Sequence, residues 1–481
     1  MIIRRTHPLA PSLPPIAALL ARPGRRLLRA ALPPIDGGHV TIELPGGEVW
    51  SLGDPRAADH CAVRVDDDRF FARALLRGEL GLGESYVAGE WSASDLVGVL
   101  RIFLRNLSAL GPAIDNPLAR VGRLPDIIRH RRRQRGRAAA RRNIGAHYDL
   151  GNDFYRLFLD AHMVYSCALF EQPGATLEAA QEAKLERLCA LLELGPDDHL
   201  LDLGCGWGAL AMWAARTRGC RVTGVTLSRQ QHELARTRVA AAGLGDRVHI
   251  EQRDYRDLRG RYDKIASVEM LEAIGEPGLS TYFHHVDNLL GPGGTAVVQT
   301  ITMPDDRYAA YCSDVDWMQT YVFPGSVIPS PGAIDRALST TRLRVVEHHE
   351  IGPHYVPTLT VWRRRFRDQI EAARALGIDA AFERTWELYL AFSEAAFAER
   401  TLGNRQIVMR RSQSRRAARA RLGRPRLRGG GFAGDCHRRR GGRDRRARRG
   451  RRGGRRGAAR GAPGQAAGRR RGLFDLEQFV G

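Results

Sequence analysis

The run "HLLDLGCGWGAL", residues 199–210, starts like a buried strand and then places glycines at 204, 206 and 208. Glycines at alternate positions let a backbone turn through conformations closed to other residues and approach a ligand closely. A strand that passes through such a turn into a helix aims unpaired backbone N–H groups at whatever sits there, which suits a nucleotide. The surrounding chain has the matching architecture. Apolar runs "HLLDLGCG", "RVTGVTLS", "RVHIEQRDY", "YDKIASVEM", "GTAVVQTIT" and "RLRVVEHHEI" alternate with helical patterns across residues 175–351. Alternation at this spacing predicts an α/β fold with a doubly wound, Rossmann-like parallel sheet. After a helical stretch at 362–399, "NRQIVMRR" (404–411) is expected to add an antiparallel edge strand.

The residues beside the glycines narrow the ligand. A dinucleotide-binding sheet places Asp or Glu at the end of its second strand, about 20 residues on, to hold ribose hydroxyls. Here that strand ends "GVTLSRQQ", without an acid. Asp202 instead precedes the glycines, and Asp254 closes the third strand. NAD fits this pattern poorly. It resembles that of S-adenosylmethionine (SAM) methyltransferases.

Charge separates the body of the chain from its end. Residues 411–481 hold 24 Arg against 4 acids and so carry +20 of the formal net charge of +22. The first 410 residues are nearly neutral, and no nucleic-acid partner is expected from them. The Arg/Gly-rich tail, 411–481, has almost no apolar periodicity and is expected to be disordered. Residues 1–38 form a Pro-rich segment expected to be poorly ordered. Residues 39–122 combine short alternating runs with helical patterns and read as a small α+β domain. Residues 123–142 carry nine Arg against one Asp and read as a linker able to meet anionic lipid headgroups. The catalytic region is then 143–410. Seven scattered cysteines show no metal-ligand spacing and read as reduced thiols, with no metal site.

The motifs "NIGAHYDLGNDFYRLFLD", "YSCALFE", "TLEAAQEAKLERL", "LDLGCGWG", "GVTLSRQQ", "DYRDL", "YVFPGSVIPS" and "GPHYVPTLTVW" occur in this order, preceded by "DDDRFFARALLRGELGLGESYVAGEW". Together they resemble the cyclopropane-fatty-acyl-phospholipid synthase (mycolic acid cyclopropane synthase) family, over roughly residues 60–410. The resemblance implies methylation of double bonds in the acyl chains of membrane phospholipids, most simply to cyclopropanes. It implies SAM contacts from Tyr165, Ser166, Asp202, Gly204, Cys205, Gly206, Gly208, Thr226, Ser228, Gln231, Asp254 and Tyr255. Thr226 and Gln231 would serve the ribose, and Asp254 the adenine amine.

An alkene is a poor nucleophile, so the methyl donor must be held in line with it in a dry pocket. The resulting carbocation needs a base to take a proton from the added methyl. The resemblance implies a bound bicarbonate in that role, held by Cys167, Glu272, the backbone of Ile301, and Tyr355. The family's histidine on the fifth strand is Gln299 here, and its "FEH" stretch reads "LEA". These departures bear on ring closure more than on methyl transfer. They keep open a methylene- or methyl-branching enzyme, or a silent lipid- or SAM-binding protein. A nucleic-acid methyltransferase would explain the basic tail but not the neutral body. Without a secretory signal or a run of the ~18–20 apolar residues that span a bilayer, the chain is expected in the cytoplasm, peripheral on the inner membrane face. A homodimer is compatible with this reading.

Overall fold

The chain builds a small mixed sheet before it reaches the glycine loop. Strands β1 (His39–Glu43), β2 (Val49–Gly53), β3 (His60–Val65) and β4 (Trp91–Ala93) lie in the order β2-β1-β3-β4, with β1 and β3 parallel. The alternation in "HCAVRV" buries Cys61, Val63 and Val65 and exposes the residues between them. The buried face joins a core with Trp50, Phe71 and Trp91. The segment expected to be poorly ordered instead contains a helix, Ile16–Ala31. It packs on the helix Arg69–Arg77, where Gly24 is needed: a Cβ there would lie 3.1 Å from the Phe71 carbonyl oxygen.

The expected boundary at 122/123 falls inside a helix, Pro117–Arg133, followed by another, Arg137–Tyr148. The Arg-rich stretch is therefore helical, and part of it is turned inward. Arg123 is buried, with Asp115 at 2.5 Å and Asp314 at 2.8 Å. The front region is tied into the rest of the chain by polar contacts as well as by apolar ones. Glu84, fully buried, accepts from Arg77 and from the Tyr321 hydroxyl at 2.6 Å. Arg384 lies 4.1 Å over the Tyr86 ring. The computed structural model describes residues 16–412 other than 135 and 149, and these belong to one compact unit. The tail lies outside the described residues beyond Ser412.

The second sheet holds β5 (His199–Leu203), β6 (Arg221–Thr226), β7 (Val248–Gln252), β8 (Tyr262–Val268), β9 (Leu290–Thr302), β10 (Leu343–Glu350) and β11 (Gly403–Arg411). Their order is β10-β11-β9-β8-β5-β6-β7. Pairings among β5 to β9 are all parallel, while β11 runs antiparallel to β9 and β10. β11 is thus an interior strand, which corrects the expectation of an edge. Its run Ile407, Val408 and Met409 is buried, as a strand covered on both faces requires. β10, with Arg344 to His348 exposed, takes the edge. From β5 the chain first adds strands on one side (β6, β7) and then crosses to the other (β8, β9). That reversal opens a crevice at the carboxyl end of β5, where the glycine loop lies.

Candidate active site

The glycine loop forms one wall of a cavity of about 410 Å³. Gly204 and Gly206 have φ of +77° and +55°, in the left-handed region. A Cβ on Gly206 would meet no chain atom within 4 Å, so it would project into open space beside the loop. Gly208 plays a different part: it starts the helix Ala209–Arg218 and packs on Ala235. Asp202, at the end of β5, lines the cavity, and its buried Oδ2 has no hydrogen-bond partner among the described residues. Burial lifts its carboxyl to about 7, against the attraction of the Lys184 ammonium. Lys184 is itself buried and donates to Ser166 Oγ at 2.8 Å.

Of the residues expected to contact SAM, Tyr165, Ser166, Asp202, Gly204, Cys205, Gly206, Thr226, Gln231 and Tyr255 line this cavity, whereas Gly208, Ser228 and Asp254 do not. Ser228 caps the helix Arg229–Ala241 through its hydroxyl. Thr226 donates to Gln231 Oε1 at 2.7 Å, which fixes the carboxamide with its NH₂ as the remaining donor. Asp254 is taken up by Arg256, at 2.8 and 2.6 Å. Burial opposes its ionisation, but that guanidinium prevails and holds the carboxyl below its usual range. The adenine role read for Asp254 therefore belongs to an acid already paired. An unpartnered buried carboxylate and a backbone cradle that any Cβ would fill are together what a SAM molecule needs, so the residues present fit it.

The end of the adjacent strand, β8, carries a group the sequence reading passed over. Glu269 follows β8 with φ +48°, a left-handed conformation costly for a side-chain-bearing residue. Glu269 is one of the residues that line the cavity, and its carboxylate is gripped by four donors. Oε1 accepts from the Cys167 backbone N–H at 3.1 Å, from Gln299 Nε2 at 2.9 Å and from Asn404 Nδ2 at 2.6 Å. Oε2 accepts from the Tyr355 hydroxyl. The orientation of Gln299 is dictated by a relay: Arg187 donates to Gln406 Oε1, and Gln406 Nε2 donates to Gln299 Oε1 at 3.0 Å. The Gln299 amide nitrogen must then face Glu269.

Beneath lies a second carboxylate. Glu272 Oε1 accepts from Ile301 N at 2.6 Å and Thr300 Oγ1 at 2.9 Å, while Oε2 is buried without a partner among the described residues. Burial, with the neighbouring Glu269 charge, pushes this carboxyl up to about 7.

Cys167, Glu272, Gln299, Ile301 and Tyr355 are thus brought together, but three of them close around Glu269 rather than around a free anion. A bicarbonate does not fit a cradle already filled by a side-chain carboxylate. Nor does the Cys167 thiol take part: buried and pushed well above its ordinary pKa, it donates to the carbonyls of Ala168 and Ile351. Its contribution is its main-chain N–H. Asn404, Gln406 and Lys184 were also missed. Asn404 and Gln406 sit on β11, more than 100 residues from Glu269, and only the pairing of β11 with β9 brings them near. Lys184 carried a usable signal, because the chain has only two lysines among its 75 basic residues.

The mycolic acid cyclopropane synthetase family matches residues 135–407. A tuberculostearic acid methyltransferase of Mycobacterium tuberculosis is 41% identical over 394 residues, 80% of this chain and 90% of the relative. The cyclopropane-fatty-acyl-phospholipid synthase of Escherichia coli is 37% identical over 309 residues, 63% of this chain and 76% of the relative. Among solved structures, a mycolic acid cyclopropane synthase complexed with SAH and CTAB superposes with a TM-score of 0.53 at 29% identity, covering 56% of this chain and 98% of that one.

Proposed function

The chain belongs to the mycolic acid cyclopropane synthetase family of SAM-dependent methyltransferases acting on lipids, and from that premise we propose that it methylates the double bond of an unsaturated phospholipid acyl chain and leaves a methylene branch. The observation that carries this reading is Glu269, a cavity-lining residue whose carboxylate is held by four donors.

SAM, when bound by Asp202, the 204–206 loop and the Thr226–Gln231 pair, supplies an electrophilic methyl group. In the transfer the alkene's electron pair would form the new C–C bond as the methyl–sulfur bond breaks, its electron pair staying on sulfur to leave S-adenosylhomocysteine, and the neighbouring carbon would become cationic. Part of the wall is aromatic: Tyr165 and Trp207 line it, packed on Tyr155 at ring distances of 5.3 and 5.1 Å. Ring faces in such positions stabilise positive charge.

The fate of the cation depends on how fast a proton leaves. The two oxygens of Glu269 already accept from four donors, so one of those bonds must give way before the carboxylate takes a proton, and the transfer is slow. A hydride with its electron pair can first move from the methylated carbon to its neighbour, giving the more substituted cation. Glu269 then removes a proton from the added methyl, and the C–H pair becomes the C=CH₂ double bond of a methylene branch. The same proton lost before the shift would close a cyclopropane. The relatives are named for more than one product: one is a tuberculostearic acid methyltransferase, another a cyclopropane-fatty-acyl-phospholipid synthase.

The test is methyl transfer from labelled SAM to an unsaturated phospholipid, in the wild type and in Glu269→Gln. Removing a positioned base typically lowers turnover about 10²–10⁴-fold, and SAM binding should be unchanged. Equal turnover in the two proteins would remove Glu269 from the reaction.

A further inference from the structure

The helix Pro117–Arg133 is inside out. Its buried face is Ala119, Arg123, Asp126 and His130. Its outer face carries Leu118, Val121, Leu124 and Ile128, which are 50 to 66% exposed. Their spacing places them in one stripe along the helix. They are four of the nine large hydrophobic side chains that stand exposed among the described residues. The helix cannot roll over to hide them, because its polar face is locked. Arg123 is paired with Asp115 and Asp314, and Asp126 with Arg77 at 2.8 Å. His130 is bonded to Gln134, and burial takes its pKa down to about 4, so the ring stays neutral near neutral pH. A contiguous apolar stripe held outward in this way marks a surface that meets something apolar.

Two observations identify the partner. Exposed arginines flank the stripe: Arg131 and Arg132 at one end and, at the other, Arg120, which pairs with Asp115 at 2.8 Å. Arg131 and Arg132 each offer about 1 kcal/mol of attraction near an anionic lipid surface. A second copy of the chain is the poorer fit, since a two-fold contact would set these arginines against their own counterparts. The helix also ends at the candidate active site: Arg133 and Gln134 line the cavity that holds Glu269 and Asp202.

We propose that the outer face of this helix is a membrane-docking surface, which seats its apolar stripe among the acyl chains of an anionic bilayer and brings the cavity to the lipid. The proposal rests on the lipid-substrate reading above and extends it to the route by which a chain leaves the bilayer.

The experiment uses the full chain with its basic tail, and reads sedimentation with phosphatidylcholine/phosphatidylglycerol vesicles at low and high salt. Attraction by the tail is screened at about 0.5 M salt; insertion of apolar side chains is not. Wild type should keep a salt-resistant bound fraction. Val121→Gln/Leu124→Gln/Ile128→Gln should lose it, with partitioning weaker by about tenfold or more. The same variant should turn over detergent-dispersed unsaturated lipid at the wild-type rate and melt at the wild-type temperature. A single Val121→Asp, on the most exposed position, repeats the test should the triple variant melt early.

Unchanged salt-resistant binding in both variants would overturn the proposal. So would a dimer in the wild type that becomes a monomer in the triple variant while vesicle binding persists. Absence of wild-type turnover on dispersed lipid would count against the proposed reaction and leave the docking result standing.

Discussion

Replacing Glu269 with glycine removes the proposed base and opens its cradle. Glycine suits the position, because the backbone there has φ +48° and a side-chain-bearing residue gives up roughly 1–2 kcal/mol in that region. The variant therefore keeps its fold, while the N–H of Cys167, the amides of Gln299 and Asn404 and the Tyr355 hydroxyl lose their acceptor. Loss of the base should lower turnover about 10²–10⁴-fold, equivalent to ~3–5 kcal/mol on the barrier. The vacated site retains four converging donors, so a small oxyanion such as formate should enter it. Rescue should saturate with formate concentration and raise kcat without changing SAM affinity. The assay is transfer from labelled SAM into dispersed unsaturated phospholipid in carbonate-free buffer. Wild type should be indifferent to that buffer. Wild-type turnover that collapses when carbonate is stripped, or a glycine variant as fast as wild type without formate, would refute the reasoning.

Other consequences follow from the same geometry. The Glu272 carboxyl is raised from 4.5 to about 7 by burial, so its contribution to stability is full below pH 4.5 and is lost as pH rises through 7. In denaturant unfolding of the ligand-free protein, wild type should lose ~3 kcal/mol more than Glu272→Gln between those values; parallel curves would contradict the shift. Gly206→Val places a branched side chain at φ +55°, beside the cavity; calorimetry should show SAM affinity at least about tenfold weaker, and unchanged affinity would exclude this loop as the SAM site. Gln406→Leu removes the donor that orients Gln299; turnover should fall with SAM affinity intact, and wild-type turnover would make the relay irrelevant.

The parallel sheet and the glycine turn were legible because both are local. Apolar runs at strand length, separated by helical periodicity, give the order β5 to β9. β11 was found but misplaced, since its position between β9 and β10 depends on long-range pairing that periodicity does not encode. Of the site, the SAM wall was largely readable, because Asp202 and the glycines lie within seven residues and Thr226 ends the next strand. The base was not. Glu269 stands three residues from Glu272, and nothing in "VEMLEA" says that its backbone adopts a left-handed conformation and swings the carboxylate under Tyr355. Arg123 misled in the opposite way. In a run of nine arginines it reads as solvated, yet it is buried against Asp314, 191 residues away.

The most direct test of the account is the carbon skeleton of the product. Full-chain enzyme, unsaturated phospholipid and SAM carrying a ¹³C methyl group give a lipid whose new carbon can be read by NMR. A methylene branch, with the labelled carbon olefinic and its double bond removed by hydrogenation, is the predicted result. A labelled carbon in the high-field region of a cyclopropane, resistant to the same mild hydrogenation, would contradict slow proton transfer to Glu269 and the branching reaction built on it.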